Sequence, residues 1–408
     1  MGQQKGKGTG DAAGVESART VDLRALGTEE RDAAIDRAAG ALNDGALVGL
    51  PTETVYGVAG SAAAEAVLER LWRAVQPAGA RAGPRPALAW HLPTPARAIE
   101  ALGLGTDRIA QRRAIERLAP GPVTFAMVAD GEELDRLCRR TGAVRGAFED
   151  SKEALVRIPA QATARALLGR TTVPLVVAAV RNAGAPARTA REAAAALRAA
   201  GHAAEIDSML EDGSAALGKQ STLVRLGREG SIEVAREGAL EGRYIRKRLE
   251  RVILFVCSGN TCRSPMAAAI ARHQLAGPEA GADEPGAIAT RVGSAGTSAD
   301  ERGTTTPESI EALRALGVEM RAHPSRALTR EQISEAEVIY AMTRSHADAV
   351  LAMDPSAADR VMLLDPDGSD IADPIGQGAR VYEETARHLY EAVRRRLAEL
   401  NGREAGQI

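Results

Sequence analysis

Residues 251–276 read RVILFVCSGNTCRSPMAAAIARHQLA. The apolar run RVILFV predicts a buried strand and SPMAAAIARHQLA (264–276) a helix. Between them lies the short loop VCSGNTCRSP (256–265), with a cysteine at one end and an arginine at the other. The grammar continues downstream. ATRVGSAG (289–296) reads as a strand and turn, and TPESIEALRALG (306–317) as a helix ended by Gly317. EVIYAM (337–342) and RVMLL (360–364) are strands, with the helix RSHADAVLAM (344–353) between them. ARVYEETARHLYEAVRRRLAEL (379–400) is a long closing helix. Strands alternating with helices predict a doubly wound parallel sheet. Ligands of such sheets sit at the carboxyl ends of the strands, where VCSGNTCRS falls.

A loop of small polar residues around Gly259 points successive backbone N–H groups inward as an anion nest. The helix starting near Ser264 adds the positive end of its dipole. A thiol in such surroundings ionises readily, and the Arg263 guanidinium forks two phosphate oxygens. The set suits covalent phosphoryl transfer to sulfur followed by hydrolysis. It lacks the Gly-Lys-Ser/Thr ending of a nucleotide-binding loop.

The full length of 408 residues bounds the answer. The length predicts two domains. Hydrophobic content of 45% with 26% charge is globular, and the net charge of −2 gives no global pull toward nucleic acid. No apolar run approaches the ~20 residues needed to cross a bilayer, so no membrane partner is expected. The opening MGQQKGKGTGDAAGVES lacks the apolar core of a signal peptide. Gly6 stands where a myristoylation signal after Gly2 wants Ser or Thr. Residues 1–18 are read as a disordered tail. Three cysteines, Cys138, Cys257 and Cys262, make no secreted disulfide framework, and the expected compartment is the cytoplasm. Six scattered histidines suggest no metal site.

The first half carries its own elements. Strands are expected at ALVGL (46–50), VTFAMV (123–128), VPLVVAAV (173–180) and STLVRL (221–226). Helical spacing appears at AEAVLERLWRAV (64–75), DRIAQRRAIERLA (107–119) and AREAAAALRAAG (190–201). The basic segment REGALEGRYIRKRLER (236–251) has no strand pattern and reads as a solvated stretch. The expected division is an α/β domain at 19–240, a linker at 241–251 and a second α/β domain at 252–408.

The C-terminal ~155 residues resemble the low-molecular-weight protein tyrosine phosphatase family. Its C-x-x-x-x-x-R-S signature follows a first strand, as Cys257 to Ser264 do here, and its D-P motif is matched by Asp373 and Pro374 in IADPIG. RVGSAGTSA and AEVIYAMTRSHAD are similar to further family segments. The resemblance implies Cys257 as nucleophile, Arg263 as phosphate ligand and transition-state stabiliser, and Asp373 as general acid and then base. Ser258, Gly259, Asn260, Thr261, Cys262 and Ser264 complete the loop, with Asn260 and Ser264 holding the sulfur by hydrogen bonds. Two uses stay open for Cys262: a reversible disulfide with Cys257 under oxidant, or a small residue filling the loop floor. The phosphatase half implies no cofactor and a phosphorylated protein as substrate. Arsenate reduction on the same fold needs further resolving cysteines.

The loop C-S-G-N-T-C-R-S differs only at Ser258 from the C-T-G-N-T-C-R-S of members that resemble protein arginine phosphatases. Members acting on phosphotyrosine usually carry an aliphatic residue where Thr261 stands, and tyrosines after D-P where this chain has Ile375 and Gly376. Phosphoarginine is therefore the expected substrate, with phosphotyrosine the alternative.

LPTETVYGVAG (50–60) resembles the Sua5/YrdC family, which condenses threonine, bicarbonate and ATP into threonylcarbamoyl-adenylate for tRNA modification. APGPVTFAM (119–127), VRIPA (156–160), STLVRL and REGAL (236–240) continue the match over about 200 residues. It implies a twisted-sheet α/β fold around a concave site, lined by Thr52 and Thr54, with Ser221 and Thr222 near the nucleotide phosphates. The family's K-G-R-P-like element corresponds to PAGARAGPRPALAW (77–90), where Arg85 is the surviving arginine and Gly83 replaces the lysine. Its S-x-N element appears as Val180, Arg181 and Asn182. Losing a fixed ammonium and a hydroxyl removes charge compensation that a triphosphate needs. The expectation is a degenerate module without synthase activity. The alternatives are a live synthase half with ATP as its cofactor, or a nucleotide- or RNA-binding module that targets the phosphatase.

Overall fold

The computed structural model describes residues 19–76, 88–105, 107–149, 152–182, 184–276, 289–300 and 302–406, without the side chains of 182 and 401–406. They divide into two compact units, drawn mainly from residues up to 245 and from residues 246 onward.

The second unit is a four-stranded, wholly parallel sheet in the order Thr290–Gly296, Arg251–Cys257, Val338–Ala341, Val361–Leu363. The first strand in sequence thus has the second on one side and the third on the other. That reversal of order opens a crevice at its carboxyl end. RVILFV is continuously apolar because both faces of the strand are covered. Ile253, Phe255 and Cys257 face a core with Met266 and Ile270 of the helix Arg263–Ala276 and Leu389 and Val393 of the closing helix Gly378–Gly406. Leu254 and Val256 face the opposite core with Ile333, Ile339 and Val350. Each such side chain, fully buried, contributes about 1.5–3 kcal/mol. The alternation places the Cys257 side chain on the face of the helix that follows it. The doubly wound reading holds.

The first unit is built on a mixed ten-stranded sheet among the described residues. Its centre runs Val48–Pro51, Tyr56–Ser61, Leu175–Ala179, Ala89–His91, Glu153–Arg157, Val123–Val128, Thr222–Leu226. Tyr56–Ser61 pairs antiparallel on both sides and is buried throughout. The helices Thr28–Asn43 and Ala162–Arg170 cover one face through Ile35, Leu42 and Leu167, packed on Val48, Leu50 and Leu175. Trp90 stacks on Phe148 at 5.1 Å between ring centroids.

Most expected elements appear within a residue or two: Val123–Val128 and Arg344–Met353 coincide with their sequence readings. Gly317 adopts φ +74°, the left-handed conformation that ends a helix. The segment 241–251 is helical over Gly242–Leu249, which buries Ile245 and carries Arg246, Lys247 and Arg248 in its last turn. Cations there complement the helix dipole, so the basic cluster has a local role.

Candidate active site

Cys257 ends its strand, 2% exposed, and the chain turns at once into the loop. The turn depends on Asn260, which adopts φ +56°, a left-handed conformation that asparagine tolerates better than most residues. Its backbone N–H donates to Cys257 Sγ at 3.3 Å. Its buried amide Nδ2 donates to Ser264 Oγ at 3.0 Å, and its Oδ1 accepts from the Arg326 N–H at 2.9 Å. Ser264 Oγ lies 3.0 Å from Cys257 Sγ and 3.2 Å from the Ala295 carbonyl. The sulfur is thus held by groups that are themselves held.

The neighbouring strand fixes the loop from the other side. Thr297 N–H donates to the Cys257 carbonyl (2.9 Å) and Ser298 N–H to that of Ser258 (3.0 Å). This approach requires Gly296, where a Cβ would stand 2.4 Å from Ser258 O and 2.9 Å from Asn260 N.

Arg263 opens the next helix and is 4% exposed. Its Nη1 donates to the Ile371 carbonyl at 3.0 Å. Its Nη2 pairs with the Asp373 carboxylate and lies 3.4 Å from Ser258 Oγ. Asp373 is partly exposed, and its Oδ1 accepts from the Ile375 N–H. Ile375 stands 58% exposed beside it. Thr261 is half-buried, 3.5 Å through Oγ1 from Cys262 Sγ. The Cys262 sulfur is buried, 3.4 Å from Tyr382 OH and 3.6 Å from Thr306 Oγ1. Burial foremost, and then contact with Cys262, pushes the Tyr382 hydroxyl up to about 12. The site therefore gathers a sulfur nucleophile, a guanidinium fork and a carboxylate around one point, the equipment of covalent phosphoryl transfer.

Sequence reasoning missed Gly296, Thr306, Tyr382 and His346. His346 Nε2 lies 2.8 Å from Ser258 Oγ and its Nδ1 2.8 Å from Thr343 Oγ1. Burial, and next the Arg263 cation, lower its pKa below the ordinary histidine value. RSHADAVLAM read only as a helix. Yet this histidine follows the carboxyl end of the adjacent strand Val338–Ala341, the edge on which the loop lies.

The first unit has a cavity of about 370 Å³ lined by Thr52, Thr54, His91, Thr124, Arg157 and Ser221 among others. Thr52 and Thr54, two residues apart, meet at 2.9 Å between hydroxyls. Arg157 Nη2 donates to Thr54 Oγ1 and Glu53 Oε1, both at 2.7 Å. Ser221 Oγ meets Thr124 Oγ1 at 2.7 Å. Among the described residues, two buried nitrogens here have no hydrogen-bond partner: His91 Nε2 and Arg157 Nε. His91 Nδ1 is 2.8 Å from the Ala89 carbonyl, so the ring proton sits on Nδ1 and Nε2 is a bare acceptor. Burial, and next the Arg157 cation, lower its pKa to about 3.

Thr222 corrects an expectation. Its hydroxyl is turned away from the cavity, donating to the Leu240 carbonyl (2.7 Å) and accepting from Leu240 and Gly238 N–H. Adjacent residues entering a strand face opposite sides, so Ser221 and Thr222 do not share a site. Val180, in the place of the family serine, is 2% exposed. Gly83 and Arg85 lie outside the described residues, as does the side chain of Asn182.

Comparison with known proteins follows this division. Residues 252–405 match the model of the low molecular weight phosphotyrosine protein phosphatases. Residues 40–238 match the Sua5/YciO/YrdC model, described as telomere recombination. A protein-arginine-phosphatase of Bacillus subtilis (strain 168) is 34% identical over 146 residues, 35% of this chain and 91% of that protein. One of Geobacillus stearothermophilus is 40% identical over 152 residues, 36% of this chain and 93% of that protein. The low molecular weight protein-tyrosine-phosphatase PtpB of Staphylococcus epidermidis (strain ATCC 35984) is 32% identical over 144 residues, 35% of this chain and 93% of that protein.

Proposed function

Because the chain belongs, through residues 252–405, to the low molecular weight phosphotyrosine protein phosphatase family, we propose that it dephosphorylates proteins through a cysteinyl-phosphate at Cys257, with phosphoarginine as substrate. The observation that carries this is the meeting of Arg263 Nη2 with the Asp373 carboxylate beside a loop whose N–H group is aimed at Cys257 Sγ. In the first step sulfur attacks phosphorus, the bond from phosphorus to the leaving nitrogen breaks, and Asp373 gives that nitrogen a proton. In the second, Asp373 takes a proton from water, the hydroxide oxygen bonds phosphorus, and the S–P bond breaks to release phosphate. Arg263 balances the charge on the phosphoryl oxygens in both.

Thr261 and Ile375 favour phosphoarginine. A hydroxyl at the loop rim offers a partner to a phosphoramidate nitrogen, where an aliphatic side chain would only wall an aromatic ring. Asp373 pairs with a guanidinium as well as protonating it, and the exposed Ile375 provides no aromatic stacking surface. Thr261→Ile should lower kcat/KM on phosphoarginine peptides about tenfold, the scale of one misplaced contact, and leave phosphotyrosine turnover unchanged or raised. An equal response of both substrates returns the lead to phosphotyrosine.

For the first unit we infer a ligand-binding module without synthase activity. The buried apolar Val180 and the committed Thr222 hydroxyl support this reading. His91 Nε2 and Arg157 Nε offer one acceptor and one donor to a small polar ligand. Incubation of the full chain with ATP, bicarbonate and threonine should yield no threonylcarbamoyl-adenylate. Steady adenylate formation would make the protein bifunctional.

A further inference from the structure

Ser258 is the loop residue by which this chain departs from the arginine-phosphatase signature, and its hydroxyl is placed between two nitrogens. Arg263 Nη2 lies 3.4 Å away and His346 Nε2 2.8 Å away. A guanidinium only donates, so the Ser258 oxygen accepts from Arg263 and its single proton is left to offer to His346 Nε2. In the tautomer with the ring proton on Nδ1, 2.8 Å from Thr343 Oγ1, Nε2 is the acceptor for that hydroxyl. The chain Arg263 to Ser258 to His346 to Thr343 thus links the phosphate-facing guanidinium to a helix N-terminus.

We propose that His346 is a positioning residue for the phosphatase site, acting through the Ser258 hydroxyl to orient the Arg263 guanidinium that grips phosphate. It deepens the phosphatase reading and rests on it only for the turnover measurements. Three features support it beyond the distances. His346 is 5% exposed, and its helix is anchored by Thr343, whose hydroxyl also accepts from the His346 backbone N–H. The charged groups facing the ring are Arg263, Asp373 and Asp370, so a positive charge on it would stand beside the phosphate-binding cation. Burial, and next that cation, lower the ring's pKa and so favour its neutral form. Arg263 Nη1 is fixed by the Ile371 carbonyl, whereas Nη2 is shared with a carboxylate that must change protonation state in the reaction. A neutral acceptor on Nη2 that takes no part in proton transfer keeps the fork oriented throughout.

The test is a double-mutant cycle on the full chain, read first as affinity for inorganic phosphate by calorimetry and second as kcat/KM on p-nitrophenyl phosphate. Ser258→Ala and His346→Ala should each weaken phosphate binding and lower kcat/KM about tenfold, the effect of losing one hydrogen bond to a charged group. The double variant should lose no more than either single one, because both remove the same connection. His346→Gln, which keeps an acceptor on a similar reach, should recover most of the loss. Additive losses, or wild-type phosphate affinity in His346→Ala, would overturn the proposal. Should His346→Ala melt below the assay temperature, Ser258→Ala against His346→Gln decides: loss in the first with retention in the second supports the relay, and equal values overturn it. Phosphate binding without turnover in the wild-type chain would sink the phosphatase reading and leave the positioning role to be judged on affinity. A wild-type chain that binds no phosphate defeats both.

Discussion

The catalytic loop and the N-terminal cavity are both lined by buried polar atoms, and they treat those atoms in opposite ways. Around Cys257 the amide of Asn260 and the hydroxyls of Ser258 and Ser264 have partners within the protein. Around His91 and Arg157, two buried nitrogens have none among the described residues. An unpaired buried polar group costs about 1–3 kcal/mol. The first site is complete by itself and therefore rigid, the condition for stabilising a transition state. The second retains donors and acceptors for a molecule to satisfy, the condition for binding one.

The comparison breaks most visibly at the nucleophile. Cys257→Ser should lower turnover at least about a hundredfold while phosphate still binds, since the N–H groups and Arg263 persist. Retained turnover in that variant would end the covalent mechanism. Gly296→Ala tests whether rigidity itself matters. The added methyl would collide with Ser258 O and Asn260 N, both backbone atoms unable to rotate away. A displacement on the scale of an ångström lowers rate by roughly a hundredfold, with tryptophan fluorescence unchanged because Trp72 and Trp90 both lie in the first unit. Near-normal turnover in Gly296→Ala would show the loop to be pliable, and the contrast would lose its basis.

The smallest effect concerns the other pole. With a folded-state pKa of about 3 against an ordinary value near 6.5, His91 stays neutral in the fold and gains its proton when the chain unfolds. The unfolded state binds more protons throughout that window. Stability therefore falls as pH falls from about 6.5 toward 3, by about 1.4 kcal/mol per unit. Urea titrations followed by tryptophan fluorescence between pH 6.5 and 5 should show this slope, and His91→Gln should reduce it. Identical slopes in the two proteins would mean that His91 is charged in the folded state.

The same contrast explains what could be read from sequence. The loop was legible because its chemistry lies in one run of eight residues behind an apolar strand, and a nest is a property of consecutive backbone. Its supports were not. Gly296, Tyr382 and His346 come from three other elements, and only the sheet order brings them to Cys257. In the cavity, Thr52 and Thr54 meet through their hydroxyls in the short loop between two strands. The hydroxyls of Ser221 and Thr222 go to separate partners, since a spacing of one points them apart. His91 and Arg157 carried no local signal: their importance lies in partners they do not have.

The pairing of Asp373 with Arg263 has a kinetic consequence. The carboxylate proposed as acid and base rests on the guanidinium nitrogen proposed to grip phosphate, so under that proposal product phosphate competes with a rival tethered on the same chain. Such a rival acts at an effective concentration in the millimolar range or above, and it retakes the arginine as each phosphate departs. The enzyme's own acid thus clears the site between cycles, and free phosphate should inhibit it only weakly, as an inhibition constant in the same millimolar range would register.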